Sequence, residues 1–326
     1  MVRSPTVQPL AGVLVVELTR LLPGAFAGRE LLDLGARVVR LEAPGGDPMR
    51  TTAAAWDRAL SAGKESVVCD LRTDLELGLA LLSRADVVLE GFRPGVAQRL
   101  GVGPSALPES VVYCSITGFG HEGRHAQRAG HDLNYLGWAG ALADTAPALP
   151  PVQAADLAAG ALAAVNAVLA GLVARSQDGR GRHVVVSMTH GSHRLVSHRL
   201  GGEPLPRLLT GGLACYRTYR TADGRWLTIA ALESRFFARL CELVERPELA
   251  ARQYDPDGQE ALAAELAEIV AGRTLAEWLA LTDGEDVCVG PVATIAEAAT
   301  EFGVAAPSRA AAVGEHTAAW RRELDL

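Results

Sequence analysis

The sequence predicts an α/β protein: a large unit built on a parallel, doubly wound sheet, followed by a smaller α+β unit. Two observations carry this. Through the first half, short apolar runs of strand length alternate with helix-length amphipathic stretches. That alternation gives parallel strands joined by crossover helices. In the second half, a hairpin signal at Asp223-Gly224 precedes several helical patterns in succession.

GVLVVEL (12–18) reads as the first strand. GAFAGRELLDLG (24–35) reads as a helix that stops at Gly35, where the left-handed backbone closing a helix costs little. ARVVRLE (36–42) and VVCDL (67–71) are the next strands, TDLELGLALLSRA (73–85) a helix and DVVLEGF (86–92) a strand. ESVVYCSITGFG (109–120) supplies a further apolar run. The pair His131-Asp132 stands at the mouth of a predicted helix within RAGHDLNYLGWAG (128–140). The long apolar stretch 155–175 is interrupted by Asp156 and Asn166 and reads as a buried core helix, since a bilayer span needs ~20 nearly continuous apolar residues. HVVVSMTH (183–190) closes the large unit as a strand, and the Gly-, Pro-, His- and Arg-rich stretch 191–212 reads as a linker. The small unit, 213–299, holds the hairpin 213–232, helices in 234–244, 259–273 and 275–283, and a short strand leading to a helix in 288–298.

Composition narrows the function. With 49% hydrophobic and 21% charged residues among 326, the chain has enough apolar material for a large core. A net charge of −7 argues against a nucleic-acid partner and requires any anionic ligand to be held by local arginines. The five cysteines form no CxxC pair and read as reduced core residues. His190, His193 and His198 fit no standard metal spacing, so no metal site is expected. MVRSPTVQPLAG has no apolar signal core, and the expected location is cytoplasmic, away from membranes. No GxGxxG follows the first strand, so a dinucleotide fingerprint is absent.

Four segments, PLAGVLVVELTRLLPGAFAGRELLDLGARVVRLEAPGGDPMR (9–50), GFRPGVAQRLGVG (91–103), SITGFG (115–120) and DVCVGPVATIAEA (286–298), resemble the type III CoA-transferase family, also called CaiB/BaiF. The resemblance implies a Rossmann-like large domain, 1–190, completed by 300–326, and a homodimer whose subunits thread through one another as interlocked rings. It implies an acyl-CoA thioester as substrate and no prosthetic group. The family holds both CoA transferases and CoA-thioester racemases on one scaffold. Gly130-His131-Asp132, then Asn134-Tyr135-Leu136, is similar to the α-methylacyl-CoA racemase branch.

By that resemblance His131 and Asp156 are the proton-transferring residues and Glu233 is the carboxylate that partners the histidine. Arg40, Lys64 and Arg93 match positions that hold CoA. The residue types suit the task. Inverting the carbon beside a thioester needs a base on one face and a proton donor on the other, and imidazole and carboxylate both exchange protons near neutral pH. The expected function is therefore racemisation or epimerisation of a (2-methyl)acyl-CoA through an enolate. The alternatives are a type III CoA transferase with Asp156 as nucleophile, and a repurposed CoA-thioester-binding protein. Taken alone, Asp156 also suits a helix N-cap, His131 a surface position and Glu233 a charge at a helix start. The chain departs from the racemase pattern in three places. Val152 stands where Asn is usual, Ala158-Ala159-Gly160 replaces three glycines, and the segment 297–317 is short.

Overall fold

Six parallel strands frame the first unit, and their order decides where a ligand binds. The structure, a computed structural model, describes residues 8–202, 205, 207–303 and 309–326. The N-terminal residues 1–7, positions 203, 204 and 206 of the expected linker, and 304–308 of the shortened segment lie outside the described residues. The chain divides into two compact units, Met1–His198 with Ala306–Leu326, and Arg199–Ala305.

In the first unit β1 (Leu14–Leu18), α1 (Leu21–Asp33) and β2 (Arg37–Glu42) are followed by α2 (Met49–Thr52), α3 (Ala54–Ser61) and β3 (Glu65–Val68). Next come α4 (Leu75–Arg84), β4 (Val87–Glu90), α5 (Val96–Arg99), β5 (Val112–Thr117) and α6 (Asp132–Trp138). A π-helix, Ala155–Leu162, runs on into α7 (Ala163–Asp178), and β6 (His183–Ser187) leads into α8 (Met188–Val196). The strands pair in the order β3-β2-β1-β4-β5-β6, every neighbour parallel. The chain thus winds one way from β1 and the other way from β4. At that switch point the connecting loops diverge and leave a crevice at the carboxyl ends of the strands.

Successive strand residues face opposite layers, as the two-residue period requires. Val15, Val38, Val87 and Val112 meet Ala27, Leu31, Ala164 and Val168 on one face. Val16, Val39, Val88 and Tyr113 meet Leu77, Leu81 and Trp320 on the other. The Ala155–Asp178 helix is long and apolar enough to cross a bilayer. Its buried positions, Ala155 through Gly171, pack on α1, β5 and β6.

The expected linker is corrected by the structure. Its first residues continue α8, and Gly191, a poor helix former, is what lets α8 approach the π-helix. A Cβ at Gly191 would lie 2.7 Å from the Ala159 carbonyl oxygen. Cys69, Cys114, Cys215 and Cys241 are buried as expected, but Cys288 is exposed.

In the second unit β7 (Tyr216–Arg220) and β8 (Trp226–Ala230) form the hairpin around Asp223-Gly224. After α9 (Ser234–Leu243), α10 (Gln259–Ala271) and α11 (Leu275–Thr282), β9 (Val289–Pro291) pairs antiparallel with β8 and leads to α12 (Ile295–Glu301). Phe237, Leu240, Leu262 and Trp278 centre its core.

The last segment returns to the first unit as α13 (Thr317–Glu323). There the Ser66 carbonyl accepts from the His316 N–H at 2.9 Å, and the Val68 N–H donates to Thr317 Oγ1 at 2.9 Å. These bonds satisfy the outer edge of β3, which would otherwise present an unpaired ladder.

Candidate active site

Two cavities of about 400 and 550 Å³ open at the switch point. Thr19, Arg20, Gly91, Phe92 and Arg93, just past the ends of β1 and β4, line both. The smaller cavity is reached by Arg128, His131, Tyr135, Asp156 and Met188. The larger runs along the ends of β2 and β3, past Leu41, Leu71 and Arg72. His131 and Asp156, more than twenty positions apart in the chain, thus share one cavity.

Local structure explains how each arrives there. His131 takes extended backbone angles as the N-cap of α6, and its N–H donates to Asn134 Oδ1 at 3.1 Å. The Tyr135 ring anchors that turn. Its hydroxyl donates to the Gly130 carbonyl, and its edge meets Phe119. A Cβ at Gly118 would lie 2.6 Å from the ring, so glycine there makes room for it. Asp156 stands in the first turn of the π-helix, a conformation that recurs at functional sites.

Asp132 holds Asp156 from the side: its Oδ1 accepts the Asp156 backbone N–H at 2.9 Å. Burial raises the Asp156 carboxyl to about 7, and the Asp132 charge adds to the rise. Desolvation and a like charge both disfavour the anion. Asp132 was missed in the sequence as a partner of Asp156, because the contact is tertiary. The first backbone N–H groups of this helix are already partnered. That of Asp156 is taken by Asp132, and the Leu157 N–H by the Gln153 carbonyl at 2.8 Å.

Arg40 and Lys64, which match family positions that hold CoA, are turned away from the crevice and engaged inside the protein. Arg40 is 3% exposed; its Nη1 donates to Asp57 Oδ1 at 2.9 Å and to Ser61 Oγ at 2.6 Å, and Asp47 Oδ2 lies 3.4 Å from its Nη2. Lys64 Nζ donates to Glu17 Oε2 at 2.8 Å and to the Ala25 carbonyl at 2.7 Å. Burial pushes the Lys64 ammonium below its usual range. Gly28 of α1 admits this pair, since a Cβ there would sit 2.8 Å from Lys64 Nζ. Arg40 stands inside β2, and what hides it is a ring of carboxylates: Glu17 of β1, Glu42 of β2, Asp47 of the loop before α2 and Asp57 of α3.

The same cluster shapes the cavity floor indirectly. Asp47 Oδ2 accepts the Leu21 N–H at 3.1 Å, and Leu21 is a non-glycine residue with φ +64°. A leucine held in the left-handed region is strained and needs such an anchor. Glu90, buried at the end of β4, likewise accepts the Phe92 N–H at 2.9 Å and fixes the loop that carries Arg93.

Arg93 is exposed and makes no side-chain hydrogen bond or ion pair among the described residues. Arg20 and Arg72, not singled out in the sequence, are exposed along the same crevice. Their signal was position: each follows a strand of the ligand edge. Glu233 belongs to the second unit, where it N-caps α9 and its carbonyl accepts the Phe236 N–H at 3.0 Å. His190 and His193 lie on α8, bonded to Ser187 Oγ and the Ala139 carbonyl.

The model of CoA-transferase family III matches residues 10–319. α-Methylacyl-CoA racemase of Mus musculus is 35% identical over 309 residues, covering 89% of this chain and 79% of that protein. Succinyl-CoA:glutarate CoA-transferase of Homo sapiens is 30% identical over 317 residues, covering 88% and 72%. The crystal structure of a CaiB/BaiF family protein from Brucella suis superposes with a TM-score of 0.83 at 29% identity, covering 97% of this chain and 99% of that one. With a match over nearly its whole length and the same architecture, this chain belongs to CoA-transferase family III.

Proposed function

We propose that this protein is a racemase or epimerase that inverts the α-carbon of a (2-methyl)acyl-CoA thioester. One observation carries the reading: His131 and a carboxyl group titrating near neutrality, Asp156, line a single cavity at the switch point. In one direction the neutral imidazole of His131 removes the α-proton from one face. The C–H electron pair moves into the thioester as an enolate, and the Asp156 carboxyl delivers its own proton to the opposite face. In the other direction the Asp156 carboxylate is the base and the His131 imidazolium the acid. A carboxyl whose pKa is raised toward neutrality serves both directions.

The thioester would lie in the smaller cavity and the nucleotide of CoA in the larger. Arg20, Arg72 and Arg93 supply charge for its phosphates, which must be met locally in a chain of net charge −7. Glu233 would orient the histidine from a second copy of the chain in a homodimer.

The transferase reading stays in play because a relative carries that activity in its name. There Asp156 would attack the thioester carbonyl. The test is deuterium uptake at the α-carbon from each separate enantiomer of 2-methylacyl-CoA in heavy water. The proposal expects exchange and inversion from both. His131→Ala is expected to stop inversion while leaving slow exchange from one enantiomer. Modification of Asp156 by hydroxylamine after mixing with acyl-CoA would establish the transferase instead.

A further inference from the structure

Among the arginines of the crevice, Arg128 is set apart. Arg20 and Arg93 line both cavities and Arg72 the larger one, while Arg128 lines only the smaller, with Ala129, Gly130 and His131 next in sequence. It is exposed, and its neighbours among the described residues include Trp138 and His125, neither of them a carboxylate. Nor does it dangle. Its guanidinium lies over the Trp138 ring, 4.9 Å from the centroid, and that ring is packed edge-on against Phe119 and tilted against His125. A stacked guanidinium keeps its N–H edges free for a planar anion, which it meets through two parallel hydrogen bonds.

CoA brings its phosphates at the end remote from the thioester, and the crevice already offers three arginines there. A cation that faces only the reaction cavity has no phosphate to meet. We infer that Arg128 selects the acyl group: the substrate is a thioester whose acyl chain carries a second, free carboxylate, and Arg128 binds that carboxylate. The inference rests on the reading of this cavity as an acyl-CoA site and names its substrate class.

The test compares two CoA thioesters of equal chain length, one 2-methyl acyl chain ending in a carboxylate and one ending in a methyl group. Calorimetry gives the affinity of each for the wild type, Arg128→Gln and Arg128→Lys, and α-deuterium uptake is followed separately. The wild type is expected to prefer the carboxylate-bearing thioester by roughly tenfold or more, the size of one charge-assisted contact. Arg128→Gln is expected to bring the ratio near one, and Arg128→Lys, which keeps the charge and loses the fork, to leave an intermediate ratio. Equal wild-type affinities overturn the inference. So does an Arg128→Gln variant that weakens both thioesters and free CoA alike, which would place this arginine in the CoA site. Binding and exchange are read independently. A carboxylate preference without α-exchange would sink the racemase reading and keep Arg128 as the selector; exchange without preference would do the reverse.

Discussion

The first unit contains two gatherings of acidic side chains, and they are built on opposite rules. Around Arg40, the carboxylates of Glu17, Asp47 and Asp57 meet the cations Arg40 and Lys64, while Glu42 is paired with Arg50 at 2.6 Å. Burial alone would raise the Glu42 carboxyl, but the Arg50 hydrogen bond and Arg40 hold it below its usual range. At the cavity, burial drives the Asp156 carboxyl upward, and its charged neighbour Asp132 adds to the rise. A carboxylate matched with a cation fixes loops; one left unmatched is kept ready to take and give a proton. The difference lies in what surrounds the acid, since the residue type is the same.

The largest expected effect breaks the second gathering. Asp156→Asn removes the proton carrier and should lower α-deuterium exchange by about 10²–10⁴-fold, the usual share of a general acid–base residue. Retention of wild-type exchange would show that the unmatched carboxyl has no chemical role. The companion experiment breaks the first gathering. Lys64→Met strands Glu17 without its buried partner and should cost about 3–5 kcal/mol in chemical denaturation. Adding Glu17→Gln should recover part of that loss, and no recovery would contradict the pairing.

A third prediction concerns pH. The folded-state pKa of Asp156 lies above its unfolded value of 3.8, so the folded state binds the proton more tightly. The stability this gives is complete below about pH 4 and is lost as the pH rises through about 7. At pH 8 Asp156→Asn should therefore be more stable than wild type by roughly 1–3 kcal/mol, while at pH 4 the two should match. A denaturation series across that range reads the difference directly. On the ligand side, Arg93→Ala should weaken CoA binding by roughly 1.5–3 kcal/mol in calorimetry. The smallest change is expected from Asp132→Asn. It keeps an acceptor for the Asp156 N–H and removes the charge, so the pH midpoint of exchange should move down; a midpoint that stays put would assign the whole rise to burial.

Much of this arrangement was legible in the sequence. Strand runs such as 12–18 and 36–42 declared themselves because both faces of a parallel sheet are covered, so valines and leucines dominate them around Glu17, Arg37, Arg40 and Glu42. The stop at Gly35 was equally plain, and there φ is +100°. What escaped is tertiary. Arg40 matches a ligand position of the family pattern, but a pattern along the chain does not display the carboxylates that gather over it. Asp132 was read as the neighbour of His131, whereas its side chain serves Asp156, 24 positions on. α8 was hidden by its Gly and His content, since its stability comes from the close crossing at Gly191 and little from propensity.

The return of α13 to β3 has a consequence for synthesis. The chain leaves the first unit at His198 and rejoins it only after residue 305. Strand β3 emerges from the ribosome early, yet His316, which with Thr317 seals its edge, lies 250 residues beyond Ser66. At roughly 5–20 residues per second, the intervening stretch takes several seconds or more to make. For that interval one margin of the nascent sheet stands open, and Trp320, 1% exposed in the finished protein, has yet to be added. Completion of the six-stranded sheet's outer edge thus waits for the segment that holds His316 and Thr317, which makes an uncapped β3 the point at which a stalled chain would pair with the wrong strand.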